Sequence, residues 1–160
     1  MIDYRVGTGF DAHALEAGIP LVLGGVEIPF GRGLTGHSDG DVIAHALIDA
    51  LLGAAGLGDI GSLFPSDDER FHGARSLDLL ADAYLRVREA GFEIVNADCV
   101  LIGEEPRIAD DRVQMRGRLA TVMGTDPERV SVRATTTDRL GFIGRGEGLA
   151  AQAVVLLRRL

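Results

Sequence analysis

Apolar residues recur along this chain at two periods, about 2 and about 3.6, and the period separates strands from helices. Residues 2–10 mix β-branched and small side chains and end on Phe10, which predicts a first strand. Residues 21–29 (LVLGGVEIP) predict a second, with the Gly24–Gly25 pair marking a bulge. A glycine-rich loop, GRGLTGHSDG, follows up to Gly40. From Asp41 to Gly56 apolar residues fall at nearly every other position. So wide a stripe predicts a well-buried helix, with Ser38 or Asp39 as its N-cap. Residues 57–75, rich in Gly, Pro, Ser and Asp, predict a loop. Ser76 to Ala90 predicts an amphipathic helix, with Leu77, Leu80, Ala81, Tyr84 and Val87 on its apolar face and Gly91 as C-cap. Residues 93–102 predict a strand, Ile108 to Met123 a helix opening on acidic residues, and 129–136 (RVSVRATT) an alternating strand. A last apolar strand covers 148–158. No repeat, linker or low-complexity stretch divides these elements, so the pattern predicts a single α+β domain over 1–160.

Composition narrows the function more than the fold. The 160 residues fit one domain, and 46% hydrophobic content is ordinary for a globular chain. The formal charge is -8, from 24 acidic and 16 basic side chains. The arginines are scattered, so no basic patch offsets the repulsion of a polyanion, and nucleic acid is not expected as a partner. Every basic residue is Arg, which excludes a Schiff-base or P-loop lysine. Neither a signal peptide nor an organelle transit segment is visible, and no apolar run is long enough for a membrane span. The expected setting is the bacterial cytoplasm. The single cysteine, Cys99, lies in the apolar run NADCVLIG and reads as a buried, inert thiol.

Histidine is scarce, with four copies, and its placement carries information. Asp11 and His13 form a D-x-H pair. If the chain stays extended there, residues i and i+2 point to the same side. His45 stands among apolar neighbours in the long helix, sharing a face with Asp41 and Asp49 at i, i+4 and i+8. One Asp and two His leave an open coordination position, as in a catalytic zinc or a non-heme iron site. Asp49 then suits a supporting role, as the acceptor that fixes the His45 tautomer. The plainer reading makes Asp11 a cap, His13 a surface residue and His45 a satisfied, partly buried histidine.

Four loops combine glycines with Asp, Ser, Thr or Arg: GFDAH (9–13), HSDGD (37–41), LGDIGSLFP (57–65) and RATTTDRLGFIGRGEG (133–148). Ser38 and its neighbours precede a helix N-terminus, where free N–H groups favour phosphate. Thr135, Thr136 and Thr137 offer hydroxyls beside Asp138, or form a plain exposed strand. Arg145, between Gly144 and Gly146, either presents its guanidinium fork to a diphosphate or pairs with Glu147.

These four motifs, in this order and spacing, resemble the 2-C-methyl-D-erythritol 2,4-cyclodiphosphate synthases over essentially the whole chain. The resemblance implies a mixed β-sheet with helices packed on one face, assembled as a homotrimer with active sites at subunit interfaces. It implies a lyase of the non-mevalonate isoprenoid pathway. The reaction converts 4-diphosphocytidyl-2-C-methyl-D-erythritol 2-phosphate to the cyclic diphosphate and CMP. One Zn2+ and a second divalent cation, Mg2+ or Mn2+, are implied with it. Asp11, His13 and His45 would hold the zinc, with Asp11 and His13 also bordering substrate, and Asp138 would hold the second metal. His37 and Ser38 match residues at the substrate phosphates, and His37 and Thr136 match transition-state stabilisers. Asp59, Ile60 and Gly61 match the stretch that binds the methylerythritol part, continued by Phe64, Pro65, Ser66, Asp67 and Asp68. Gly103, Pro106, Arg107, Ile108 and Ala109 match a cytidine pocket supplied by the neighbouring subunit. Ala134, Thr135, Thr136, Thr137 and Asp138 match the stretch beside the cytidine diphosphate. Phe142 and Arg145 match positions that touch substrate or an isoprenoid diphosphate on the trimer axis.

Four positions depart from the family pattern. Asp138 replaces a usual Glu, Ser66 a usual Asp and Arg107 a usual Lys. Gln152 stands where some members line the trimer cavity with Glu. The chain has no room for the cytidylyltransferase fused to some relatives, so the monofunctional type is expected. Two rival readings are a zinc-dependent phosphohydrolase and a non-catalytic trimeric protein that binds metal or prenyl diphosphate.

Overall fold

Glycine at positions 7 and 9 decides how the first strand meets the first helix. A computed structural model describes residues 1–160. Strand β1 runs from Tyr4 to Ala17, well past Phe10. Residues 4–14 pair without interruption, antiparallel, with strand β7, Gly148–Arg159. That ladder holds the D-x-H stretch extended, so β1 continues where composition alone ended it. Helix α1, Val42–Ala55, lies across β1 and β7 with nearly every residue buried. A Cβ on Gly7 would overlap the Ala50 carbonyl oxygen, and one on Gly9 the Ala46 carbonyl oxygen. Without side chains at 7 and 9, backbone packs directly on backbone.

Strands β5 (Phe92–Ile102), β6 (Val130–Thr135) and β4 (Arg32–Leu34) complete a five-stranded sheet in the order β4-β1-β7-β5-β6. β5 and β6 pair in parallel and the other pairs are antiparallel, so the sheet is mixed. A parallel pair needs a crossover, and helix α4, Arg112–Met123, supplies it. Helix α3, Ser76–Glu89, packs against α1 and α4. The core lies between the helices and the inner sheet face, where Cys99 is fully buried. Burial pushes its thiol up to about 12, as suits an inert cysteine. The outer sheet face has no layer over it. Tyr4, Val6, Phe10 and Val154 are exposed there. No helix is long and apolar enough to cross a membrane.

Several elements differ from the sequence expectation. Gly24 and Gly25 do not bulge one strand. Both take positive φ, 57° and 75°, and turn the chain between β2 (Leu21–Leu23) and β3 (Val26–Ile28). That is the two-residue hairpin geometry glycine favours. The α1 N-cap is Asp41, not Ser38 or Asp39. On α3, Ala83 is buried and Ala81 exposed, so the apolar face is rotated from the predicted one. Helix α4 begins at Arg112, because Ile108 is buried in the preceding loop. Two loops contain short helices, α2 (Ile60–Leu63) and α5 (Gly141–Gly144).

The close approach at Gly9 has a measurable consequence. Gly9→Ala forces α1 off the sheet and should lower unfolding stability in urea by about 3 kcal/mol. Gly53 lies on the exposed side of α1, with nothing within 4 Å of an added Cβ. Gly53→Ala should instead raise stability by about 0.5–1 kcal/mol.

Candidate metal and phosphate site

Beyond Gly7 and Gly9, the helix-facing side of β1 carries Asp11 and then His13. The first turn of α1 meets them with His45. Asp11 Oδ2 lies 2.9 Å from His13 Nε2 and 3.0 Å from His45 Nδ1. The two ring nitrogens are 3.4 Å apart. A tetrahedral ion with bonds of 2.0–2.1 Å spaces its ligand atoms about 3.3 Å apart. The three donor atoms therefore already stand at the spacing of one face of such a shell, and N2O is a donor set that suits a divalent metal. Burial disfavours the Asp11 carboxylate charge, but hydrogen bonds from His13 and His45 outweigh it and hold the carboxyl at about 2. Burial also disfavours charge on His45. Its contact with Asp11 prevails and raises its pKa.

The support of His45 is not the predicted one. Asp49 accepts a hydrogen bond from the Ile60 N–H at 2.7 Å and anchors α2. It does not fix the His45 tautomer. His45 Nε2 instead lies 2.8 Å from Ser76 Oγ and 3.0 Å from Ser38 Oγ. Ser76 Oγ in turn donates to Asp39. Asp41, on the same helix face as His45, has a structural task. Its carboxylate accepts from the N–H groups of Gly24, Gly25 and Ala44. It caps α1 and ties it to the β2–β3 turn. The α1 N-terminus is therefore capped by a buried carboxylate.

A cavity of about 570 Å³ opens beside the triad. His37, Ser38, Ile60, Gly61, Phe64, Pro65, Ser66 and Asp67 line it. His37 Nε2 meets the Asp68 carbonyl at 3.0 Å, and its ring packs edge-on against His72. Asp59 and Asp68 work locally: Asp59 caps α2, and Asp68 pairs with Arg70. Both carboxyls are held low by those partners, Ser62 and Arg70.

A second cavity, about 790 Å³, lies on the β5–β6 side. Gly103, Pro106, Arg107, Ile108, Ala109, Ala134, Thr135, Thr136 and Arg145 line it. So do Arg32, Arg112 and Arg139, to which motif reading gave no role: Arg139 stands inside the 133–148 motif and Arg32 in the glycine-rich loop, while Arg112 comes from a segment without a motif. Five arginines against Glu104 and Glu105 make this cavity cationic inside an acidic protein. Thr137, Asp138 and Phe142 lie outside its lining. Asp138 is exposed at φ 51° and Arg139 has φ 68°. Glu104 braces this turn, accepting from the Arg139 N–H at 2.9 Å. Arg145 forms a two-point exposed ion pair with Glu147, at 3.2 and 3.1 Å. It remains within reach of a ligand in the cavity.

No residue lines both cavities. His13 pairs with Leu149 on β7, next to Ala150, which pairs with Ile102 on β5, which pairs with Thr135 on β6. Three strand steps separate His13 from Thr135, about 14 Å.

The raised His45 pKa gives the metal-free protein a pH dependence. A histidine with a folded pKa above its unfolded value stabilises the fold fully below about pH 6.5, and loses that contribution as pH rises through the raised value. In chelator, the melting temperature should therefore fall more steeply from about pH 6 to about pH 9 than that of His45→Asn. Parallel profiles would mean the Asp11–His45 contact adds no stability.

The chain matches the YgbB family over residues 4–158. It is 59% identical, over 159 residues, to the 2-C-methyl-D-erythritol 2,4-cyclodiphosphate synthase of Rubrobacter xylanophilus, covering 98% of this chain and 96% of that protein. Its fold superposes on the bifunctional IspDF of Campylobacter jejuni with a TM-score of 0.96 at 46% identity. That match covers all of this chain but 43% of the Campylobacter protein. The IspF of Plasmodium falciparum, solved as a CDP complex, superposes with a TM-score of 0.86 at 33% identity, covering 98% of this chain and 96% of that one. With the paired cavities and the Asp-His-His cluster in place, these likenesses show that the chain belongs to the YgbB family of 2-C-methyl-D-erythritol 2,4-cyclodiphosphate synthases.

Proposed function

We propose that this chain converts 4-diphosphocytidyl-2-C-methyl-D-erythritol 2-phosphate to 2-C-methyl-D-erythritol 2,4-cyclodiphosphate and CMP, as a homotrimer in the bacterial cytoplasm. The observation that carries the reading is a three-donor metal cluster in one cavity and an arginine-lined, threonine-bearing cavity in another. A substrate with phosphate at one end and a cytidine diphosphate at the other needs both. The CDP held by the Plasmodium relative supports assigning the cationic cavity to the nucleotide end.

In the reaction, the 2-phosphate oxygen attacks the β-phosphorus in line, the bond from that phosphorus to the bridging oxygen breaks, and CMP leaves with the electron pair. Nucleophile and electrophile belong to one molecule, so the protein's main task is to fold it and hold it. The nucleophile is already ionised, and no strong general base is required. Asp11, His13 and His45 would hold Zn2+, whose charge neutralises a β-phosphate oxygen when bound. Asp138, an exposed carboxylate, would hold a second cation of the Mg2+ type, which would offset negative charge on the diphosphate. Thr136 would donate to a phosphate oxygen as charge shifts towards CMP, and His37 would do so from Nδ1 in its imidazolium form, since Nε2 is held by the Asp68 carbonyl. The backbone of 103–109 and the threonines orient the nucleotide. The loop from Asp59 to Asp68 encloses the methylerythritol part.

The two cavities suit one substrate only if copies of the chain bring them together. The uncovered outer sheet face supports such an assembly, since Tyr4, Val6, Phe10 and Val154 form an apolar patch opposite the helices. Gln152 pairs with Phe10 on that face, so it would look into the trimer interior. Exposed Phe142 and Arg145 suit the apolar tail and charged head of an isoprenoid diphosphate on the axis.

Incubation with the diphosphocytidyl substrate and Mg2+ should release CMP and cyclic diphosphate in equal amounts. CMP with a linear product, or no CMP, overturns the reading. His45→Ala should lower turnover by roughly a thousandfold, about 4 kcal/mol, without changing the oligomer's mass. Phe10→Asp should do the reverse at the structural level, breaking the trimer while each chain keeps its metal cluster. Analytical ultracentrifugation and metal analysis separate the two effects.

A further inference from the structure

We propose that Ser76 and Asp39 form a relay that sets the tautomer of His45, so that its Nδ1 lone pair faces the metal. The proposal rests on the zinc reading above. Neither residue belongs to the four motif roles: Ser76 opens α3 and Asp39 lies in the loop before α1.

The argument is a count of protons. His45 Nδ1 stands 3.0 Å from Asp11 Oδ2. In a neutral imidazole that carboxylate draws the single ring proton onto Nδ1, where it would block the metal. An opposing acceptor at Nε2 is required. Ser76 Oγ lies 2.8 Å from Nε2 and is fully buried. A serine hydroxyl has one proton. Ser76 donates it to the Asp39 carboxylate. Ser76 then turns only lone pairs towards His45, which draws the ring proton to Nε2. Ser38 Oγ, 3.0 Å from Nε2, lies 3.4 Å from Ser76 Oγ, so its own proton can turn to Ser76 and leave a lone pair for His45.

Asp39 is itself fixed from several sides. Its carboxylate accepts from the Ser76 N–H at 3.0 Å and from the Asp41 N–H at 3.2 Å. Arg75, at the N-cap position of α3, makes no side-chain cap bond, so Asp39 caps that helix from across the fold. The start of α3 and the aim of the metal ligand share one carboxylate. Partners of this kind typically change metal affinity by about 10- to 100-fold.

Ser76→Ala removes the relay hydroxyl but keeps the capping N–H and a residue that helices favour. In zinc-loaded wild type, the His45 Nε2–H proton should resonate far downfield and exchange slowly with water. In Ser76→Ala it should move upfield and exchange quickly, and competition against a chelator should show zinc held roughly tenfold or more weakly. Asp39→Asn should weaken zinc in the same direction. A wild-type zinc affinity in Ser76→Ala, or an unmoved Nε2–H resonance, overturns the relay. The zinc reading has its own control: His13→Ala must lose the metal that wild type holds. If wild type takes up no zinc, the zinc reading fails and the relay fails with it, whereas full zinc affinity in Ser76→Ala overturns the relay alone.

Discussion

The direct contact of α1 with β1 is the constraint on which the rest of the structure depends. Two strand residues advance about 6.8 Å, and four helix residues about 6 Å. Gly7 against Ala50 and Gly9 against Ala46 therefore keep step as the two elements run past each other. The next inward position on the strand, Asp11, arrives where α1 begins and His45 sits. A methyl group at 7 or 9 would move the helix as a rigid body, and the distances from His45 to Asp11 and His13 would grow with it. The metal cluster is thus a consequence of packing geometry. Its ligands are held by a helix and a strand rather than by loops, which limits how far they can drift.

Net charge describes this molecule poorly at the scale where a ligand binds. The chain carries a formal charge of -8, yet the β5–β6 cavity gathers five arginines against two glutamates. At the other cavity, Asp11 is committed to the two histidines and is not a free negative charge. Asp59 and Asp68 are turned to their own backbone or to Arg70. Much of the acidic excess is thus tied up in caps and pairs. An anionic ligand meets local fields rather than the average one.

How much of this the sequence disclosed depends on the range of each contact. The D-x-H pair was legible because i and i+2 share a side in any extended chain, and the long helix because its stripe is local. The second cavity was approached only through family resemblance; Arg32 and Arg112 escaped because no spacing joins them, and Arg139 because a motif residue's type does not show where its side chain turns. Asp39 and Asp41 are both plausible caps by type. Asp41 prevails because the distant Gly24–Gly25 turn offers it two more N–H donors. Asp49 satisfied the helical spacing to His45, but Ile60 claimed its carboxylate. Ser76 gave no signal at all, since a serine opening a helix is commonplace.

The same logic accounts for the aspartate at 138, where the family resemblance leads one to expect glutamate. Residue 138 has φ 51° and residue 139 φ 68°, both left-handed. Aspartate enters that region several-fold more readily than most side chains, because its short polar group bonds to nearby backbone. Here the partner is the Thr136 hydroxyl, whose Oγ accepts from the Asp138 N–H at 3.2 Å and donates to its carboxylate at 3.4 Å. Glu104 then holds the following N–H. The missing methylene shortens the reach of the carboxylate, but the backbone turn that presents it is less strained. At position 138 backbone conformation and side-chain reach therefore pull in opposite directions, and the left-handed turn favours the shorter acid.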